Sequence, residues 1–210
     1  FKTATGIARQ VKSQSGLSGD HFTFMNTQDA FYLSALSDGM GSGKKAERYS
    51  RSAIQMLENL IEDGMDMQTC LKLLRLYLNI KGEGDKLATM DICILDMTCG
   101  TYSFFKYGAA PSFIKKGDNV FVIKEEDANE GTSLAEEERL TASGGDFIIL
   151  ISDGILEAFS EDGGVLALKD YLESVDTLNP QNMADGLIKE ASDRSNRVND
   201  DMSVLITRLW

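Results

Sequence analysis

Leu33-Ser34-Ala35-Leu36-Ser37-Asp38-Gly39-Met40-Gly41-Ser42-Gly43 starts as an apolar strand and stops in a run of glycines that no strand or helix tolerates. Later in the chain Ile148-Ile149-Leu150-Ile151-Ser152-Asp153-Gly154 likewise runs from an apolar strand into Ser-Asp-Gly. Its apolar run, residues 147–151, is continuous, as in a central strand buried on both faces. Outward from the first segment, residues 3–11, 21–26 and 31–36 read as strands, broken by the polar loop 13–19. Behind the glycines, apolar residues recur near a 3.6 period at Ala46, Tyr49, Ala53, Ile54, Leu57, Leu60 and Ile61, predicting a helix over 44–63 that Gly64 ends. A second helix is expected over 66–80, where Cys70, Leu71, Leu73, Leu74, Tyr77 and Leu78 are too apolar for a solvated surface.

Residues 88–97 and 101–106 read as a hairpin, and 112–115 with 120–124 as another. The stretch 124–138 is acidic and irregular, and a short strand is expected over 139–142. Helices are expected over 166–173 and 180–195, the second opened by Asn179 as cap and Pro180 in its first turn. An alternating strand over 202–209 closes the chain. Strands, two helices, many strands, two helices and one strand is not the alternation of a doubly wound fold. It predicts an α+β protein: two antiparallel β-sheets packed as a sandwich with helices outside them.

The chain has 210 residues, with 33 acidic against 21 basic, a net charge of −12. One domain over 1–210 is expected at that length. The acidity argues against a nucleic-acid footprint. No apolar run reaches the ~20 residues of a membrane-spanning helix, and residues 1–5 lack the apolar core of a signal peptide. We therefore expect no membrane contact by this domain and a cytoplasmic setting. Phe1 is not an initiator Met, so a longer, membrane-anchored parent is compatible. Cys70 and Cys93 lie in apolar stretches and with Cys99 form no CxxC pair, as for reduced thiols. His21 is the single histidine. That excludes a histidine-rich metal site, and a Ser-His-Asp or Cys-His enzyme unless His21 is the base.

Asp38 and Asp153 each follow an apolar strand and precede a glycine, Asp200 immediately precedes a strand, and Asp20 sits in a glycine-containing loop before one. Any one of them alone reads as a turn or loop residue, because Asp-Gly is a common turn pair. Gathered at one end of neighbouring strands, they would repel unless cations neutralised them. Oxygen ligands without His or Cys suit Mg²⁺ or Mn²⁺ better than Zn²⁺.

Ser37-Asp38-Gly39-Met40-Gly41-Ser42-Gly43, Ser152-Asp153-Gly154-Ile155 and Asp200-Asp201-Met202-Ser203-Val204 resemble the signature segments of the metal-dependent serine/threonine phosphatases of the type 2C class. The similarity is to the bacterial branch typified by the phosphatase domain of stage II sporulation protein E. It extends to Thr5-Gly6-Ile7-Ala8-Arg9, Ser18-Gly19-Asp20, Thr89-Met90-Asp91 and Gly108-Ala109-Ala110-Pro111-Ser112-Phe113-Ile114-Lys115-Lys116-Gly117, in order over nearly the whole chain. The resemblance implies two divalent cations, Mn²⁺ or Mg²⁺. Asp38 would bridge both, with the Gly39 carbonyl as a further ligand; Asp153 and Asp200 would hold the first ion, and Asp20 the second, directly or through water. Asp38, Asp153 and Asp200 would be the catalytic set, and Asp201 would support them. It also implies water attack on a phosphorylated protein, typically an anti-anti-sigma factor, and a role for the 44–80 helices in coupling homodimer or partner contact to the metal site.

This chain departs from the branch at Asp127-Ala128-Asn129-Glu130-Gly131-Thr132-Ser133-Leu134, where relatives carry an Asn-Leu-Pro loop. Arg9 and Lys12 are candidates for holding phosphate, and His21 for protonating the leaving oxygen. Two other readings compete: a non-catalytic partner-binding domain that kept the fold, and an aspartyl-phosphate hydrolase. The second needs an Asp-x-Asp nucleophile at a strand end, and neither Asp91 nor Asp96 is so spaced.

Overall fold

The computed structural model describes residues 1–12, 16–27, 29–41, 43–79, 87–125, 141–195 and 200–210. In chain order the strands are β1 (Thr3–Gln10), β2 (Asp20–Asn26), β3 (Phe31–Asp38), β4 (Met90–Asp96), β5 (Thr101–Tyr107), β6 (Ser112–Lys116), β7 (Asn119–Ile123), β8 (Phe147–Ile151) and β9 (Met202–Leu209). The helices are α1 (Gly43–Glu62), α2 (Met67–Leu78), α3 (Asp153–Ala158), α4 (Val165–Ser174) and α5 (Pro180–Arg194). The expected α+β class holds: there are two antiparallel sheets, each with its own helices. The chain forms two compact units, and each contains one sheet.

One unit spans Leu17–Ala109 with Glu125–Thr141 and carries the sheet β2-β3-β4-β5. Leu33, Ala35, Met90, Ile92 and Ile94 point from its middle strands into a core shared with Ala53, Ile54 and Leu57 of α1 and Leu71, Leu74 and Leu78 of α2. The apolar stripe of α1 thus finds the sheet it needs. Gly64 ends that helix at φ +76°, a conformation open to glycine. Asp66 caps α2 by accepting the Thr69 N–H at 3.0 Å.

The other unit spans Phe1–Gly16, Ala110–Lys124 and Ala142–Trp210, with strand order β1-β9-β8-β6-β7. Phe147, Ile149 and Ile151 of β8 and Met202, Val204 and Ile206 of β9 pack on Ile155, Leu168, Leu172, Met183 and Leu187 of α3, α4 and α5. All five residues of β8 are buried, as its unbroken apolar run predicted. Asn179 caps α5 by accepting the Gln181 and Asn182 N–H groups, with Pro180 in the first turn.

Three expectations are corrected or left aside. Strand β3 continues through Ser37 and Asp38 instead of ending at Leu36, because β2 pairs with both, Asp20 opposite Asp38 and His21 opposite Ser37, and Thr89 bonds the other side. A helix, α3, and a 3-10 turn, Ser160–Asp162, follow Ser152 where only a turn was expected. Six residues are too few to display helical periodicity. Thr141 makes only an isolated bridge with Thr101. Arg139 and Leu140 lie outside the described residues, as does the segment Asp127 to Leu134. Cys70, Cys93 and Cys99 are free, and the first two are buried. Burial, and then the charge of Asp91, push the Cys93 thiol well above its ordinary range, so it stays a packing group.

Candidate metal centre

Two of the predicted ligands meet across the β2–β3 ladder. Asp20 and Asp38 are direct partners in its register, which sets their Cβ atoms about 5 Å apart and leaves like charges opposed. Asp20 is only 1% exposed, and burial makes that opposition costlier. The backbone around Asp38 is pinned by Thr89. The Asp38 N–H donates to Thr89 Oγ1 (3.0 Å), the Thr89 N–H donates to the Asp38 carbonyl (2.7 Å), and Ser37 Oγ donates to the Thr89 carbonyl (2.7 Å). The Gly39 N–H donates to the Gly19 carbonyl at 3.1 Å, linking the residues that follow Asp38 and precede Asp20. Gly39 has to be glycine: a Cβ there would sit 1.9 Å from the Ala46 carbonyl oxygen of α1.

The other two predicted ligands meet in the second unit. Asp153 is the first residue of α3, directly after β8 and Ser152, and Asp200 lies two residues before the start of β9. The Ser152 N–H donates to the Ser203 carbonyl (2.9 Å), and Ser152 Oγ accepts the Ser203 N–H (2.8 Å). Asp200 Oδ1 accepts the Asp201 N–H at 2.8 Å, and Asp201 Oδ1 accepts the Lys12 N–H at 2.8 Å. A Cβ on Gly154 would lie 2.2 Å from the Asp201 carbonyl oxygen. The repeated Ser-Asp-Gly therefore has one physical meaning in both units. The serine ties the strand end to a neighbouring backbone, the aspartate is presented, and the glycine admits a close backbone.

Although solvent reaches Asp153, the surrounding protein, and then the charges of Asp200 and Glu157, raise its carboxyl above the usual range. A carboxyl raised in the fold destabilises the fold once ionised. Stability of the cation-free protein should therefore fall as pH rises from the ordinary carboxyl value through the raised one. Asp153→Asn should remove that slope and raise the melting temperature at neutral pH in EDTA. A melting temperature unchanged or lowered there would contradict the repulsion.

The donor chemistry fits a hard divalent cation: four carboxylates and a peptide carbonyl, in two mutually repelling pairs, with no thiolate or imidazole among them. Among the described residues no group of three or more His, Cys, Asp or Glu side chains gathers as a metal site. The structure brings the predicted ligands together as two pairs. Thr89 and Ser152 belonged to quoted motifs, but their clamping role was not read from them. Ser50 of α1, whose Oγ donates to the Gly19 carbonyl, was missed altogether. Its signal was a polar residue on the apolar stripe of α1, one turn from both Ala46 and Ile54, and it is 0% exposed.

A family model described as stage II sporulation protein E (SpoIIE) matches residues 28–210. Stage II sporulation protein E of Bacillus subtilis (strain 168) is 32% identical over 216 residues, which cover 100% of this chain and 26% of that protein. The protein of the same name from Priestia megaterium is 28% identical over 214 residues, covering 98% and 36%. The chain thus spans a minor part of the curated relatives it matches. The solved PP2C phosphatase domain of SpoIIE from Bacillus subtilis with a fragment of its regulatory domain superposes with a TM-score of 0.87 at 30% identity, covering 99% of this chain and 62% of that one. A crystal form of that phosphatase domain without domain swapping gives 0.75 at 30% identity, covering 99% and 92%. RsbX in complex with magnesium, 16% identical with a TM-score of 0.69 and coverage of 99% and 96%, shares the fold.

Proposed function

This chain belongs to the stage II sporulation protein E family and is a PP2C-type serine/threonine phosphatase domain by homology, and from that premise we propose that it hydrolyses phosphoserine or phosphothreonine on a regulatory protein with two divalent cations, Mn²⁺ or Mg²⁺. The observation that carries the proposal is the pairing of the carboxylates, Asp20 with Asp38 in one ladder and Asp153 with Asp200 beside β9. Opposed carboxylates at strand ends are a standing electrostatic cost unless positive charge is bound there.

In this reading Asp38, Asp20 and the Gly39 carbonyl supply oxygens as one group, and Asp153 and Asp200 supply them as another. The bound ions would contribute charge neutralisation of the phosphoryl oxygens and a water that is nucleophilic at neutral pH. The chain's own work is presentation. Thr89 and Ser37 hold Asp38 at the end of β3, and Ser152 with Asp201 hold the start of α3 and the approach to β9. His21 is not the acid for the leaving oxygen. It follows Asp20 in a strand, so its side chain leaves the opposite face, where it meets Ser50 and Arg51 of α1. The substrate class proposed is a phosphorylated anti-anti-sigma factor, met in the cytoplasm.

The test is phosphate release from a phosphoserine protein with millimolar Mn²⁺, with EDTA, and after Mn²⁺ is restored. Activity that disappears with EDTA and returns with Mn²⁺ is expected. Equal rates in all three conditions would remove the cation from the mechanism, and no release in any would favour the partner-binding alternative.

A further inference from the structure

The single histidine and a buried serine form a hydrogen-bonded chain that ends on the peptide before Asp20. Arg51 Nε, which can only donate, lies 3.3 Å from His21 Nε2. His21 Nδ1 lies 3.0 Å from Ser50 Oγ. Ser50 Oγ donates to the Gly19 carbonyl. Its longer contacts, 3.3 Å to the Ala46 carbonyl and 3.2 Å to the Glu47 carbonyl, are those of a helical serine folded back on its own turn. All three acceptors are carbonyls, so the serine hydrogen points away from His21 and its lone pair faces the ring. The imidazole must then carry its proton on Nδ1. Arg51 requires the same arrangement independently, because Nε2 has to accept. The chain therefore runs in one direction: Arg51 to His21 to Ser50 to Gly19. Arg51 is itself held by an ion pair with Glu47.

The end point matters because the Gly19 carbonyl is shared. It also accepts the Gly39 N–H, so one oxygen ties together the peptide before Asp20, the peptide after Asp38 and helix α1. Resting on the cation site proposed above, we infer that Ser50 is a positioning residue for Asp20 and Gly39, acting through the Gly19 carbonyl and oriented by His21. Its hydroxyl touches neither substrate nor cation in this assignment. It fixes the rotation of the Gly19–Asp20 peptide and so the direction of the Asp20 carboxylate. Groups that orient metal ligands at one remove typically change affinity ten- to hundredfold when deleted.

Ser50→Ala keeps a good helix former and leaves Gly19 its bond from Gly39. It should raise the Mn²⁺ dissociation constant about tenfold or more, read directly by electron paramagnetic resonance of free Mn²⁺ without substrate. The urea midpoint of the cation-free protein should move little, and Ser50→Thr should recover part of the affinity. A purely structural serine would give the opposite pattern, a lower midpoint with unchanged Mn²⁺ affinity in the folded protein, and that would overturn the inference. Should Ser50→Ala fail to fold, His21→Phe decides, since it breaks the chain at a partly exposed position. It should weaken Mn²⁺ binding in the same direction, and unchanged affinity overturns the assignment. If the unaltered protein itself bound no Mn²⁺, the cation site would fall and this inference with it. If the unaltered protein binds and the variants bind equally, only the positioning role falls.

Discussion

Asp38→Asn is expected to lower Mn²⁺-dependent phosphate release by about a thousandfold, roughly 4 kcal/mol of barrier, while leaving the protein folded. The substitution keeps the size and shape of the side chain and keeps the backbone bonds to Thr89 that extend β3 to this position. What it removes is one negative charge and one hard oxygen at a residue proposed to hold the ions. It also removes the like-charge opposition to Asp20 in the β2–β3 register, so the cation-free variant should be no less stable than its parent. This pairing of results separates a lost ligand from a lost fold. Turnover above about a tenth of the parent, with Mn²⁺ affinity intact, would show that Asp38 is not the bridging residue. Asp20→Asn should cost less, since its contribution is to one ion only.

The elements that the sequence made legible are those with a long or uninterrupted pattern. Helix α1 was readable because its apolar stripe, Ala46 to Ile61, spans about four turns, and β8 because all five of its residues are apolar. Met202–Leu209 was read as an alternating strand; the strand is there, but it is buried on both faces rather than alternately. The loss came where local chemistry outweighs pattern. The run through Ser37 and Asp38 looks like a turn, yet β2 pairs with both residues and Thr89, just before β4, bonds the Asp38 backbone, so the ladder continues. Ser152-Asp153-Gly154 also looks like a turn, yet it opens a six-residue helix too short for any period to be counted. The site shows the same division. The four aspartates were proposed from their positions at strand ends and from the ordered resemblance. Ser50 was not, because a hydroxyl on a helix's buried stripe acquires meaning only when the carbonyl it serves is known. His21 was weighed as an acid because it is the only histidine. The alternation of β2 sends it to the face away from Asp20, where it serves α1 instead.

Lys106→Met is expected to destabilise the protein by about 3–5 kcal/mol, a large part of the roughly 5–15 kcal/mol that holds a domain of this kind together. Lys106 of β5 and Asp91 of β4 are cross-strand partners, and their charged ends meet at 2.8 Å with side chains 0% and 1% exposed. On the same face of the sheet, one strand over, Leu36 is the register partner of Asp91, two residues from Asp38. Taking two ions out of water costs nearly as much as their attraction returns, so the intact pair contributes little net stability. Removing only the lysine is different, because Asp91 then keeps its buried charge without its cation. The urea midpoint should drop sharply with little change in slope. Replacing both partners by apolar residues, Asp91→Leu with Lys106→Met, should recover most of the loss, since no stranded charge remains. Recovery in the double variant would be the measure of a buried charge. A double variant as unstable as the single one would show instead that the lysine stem's packing, rather than the ion pair, is what β4 and β5 depend on.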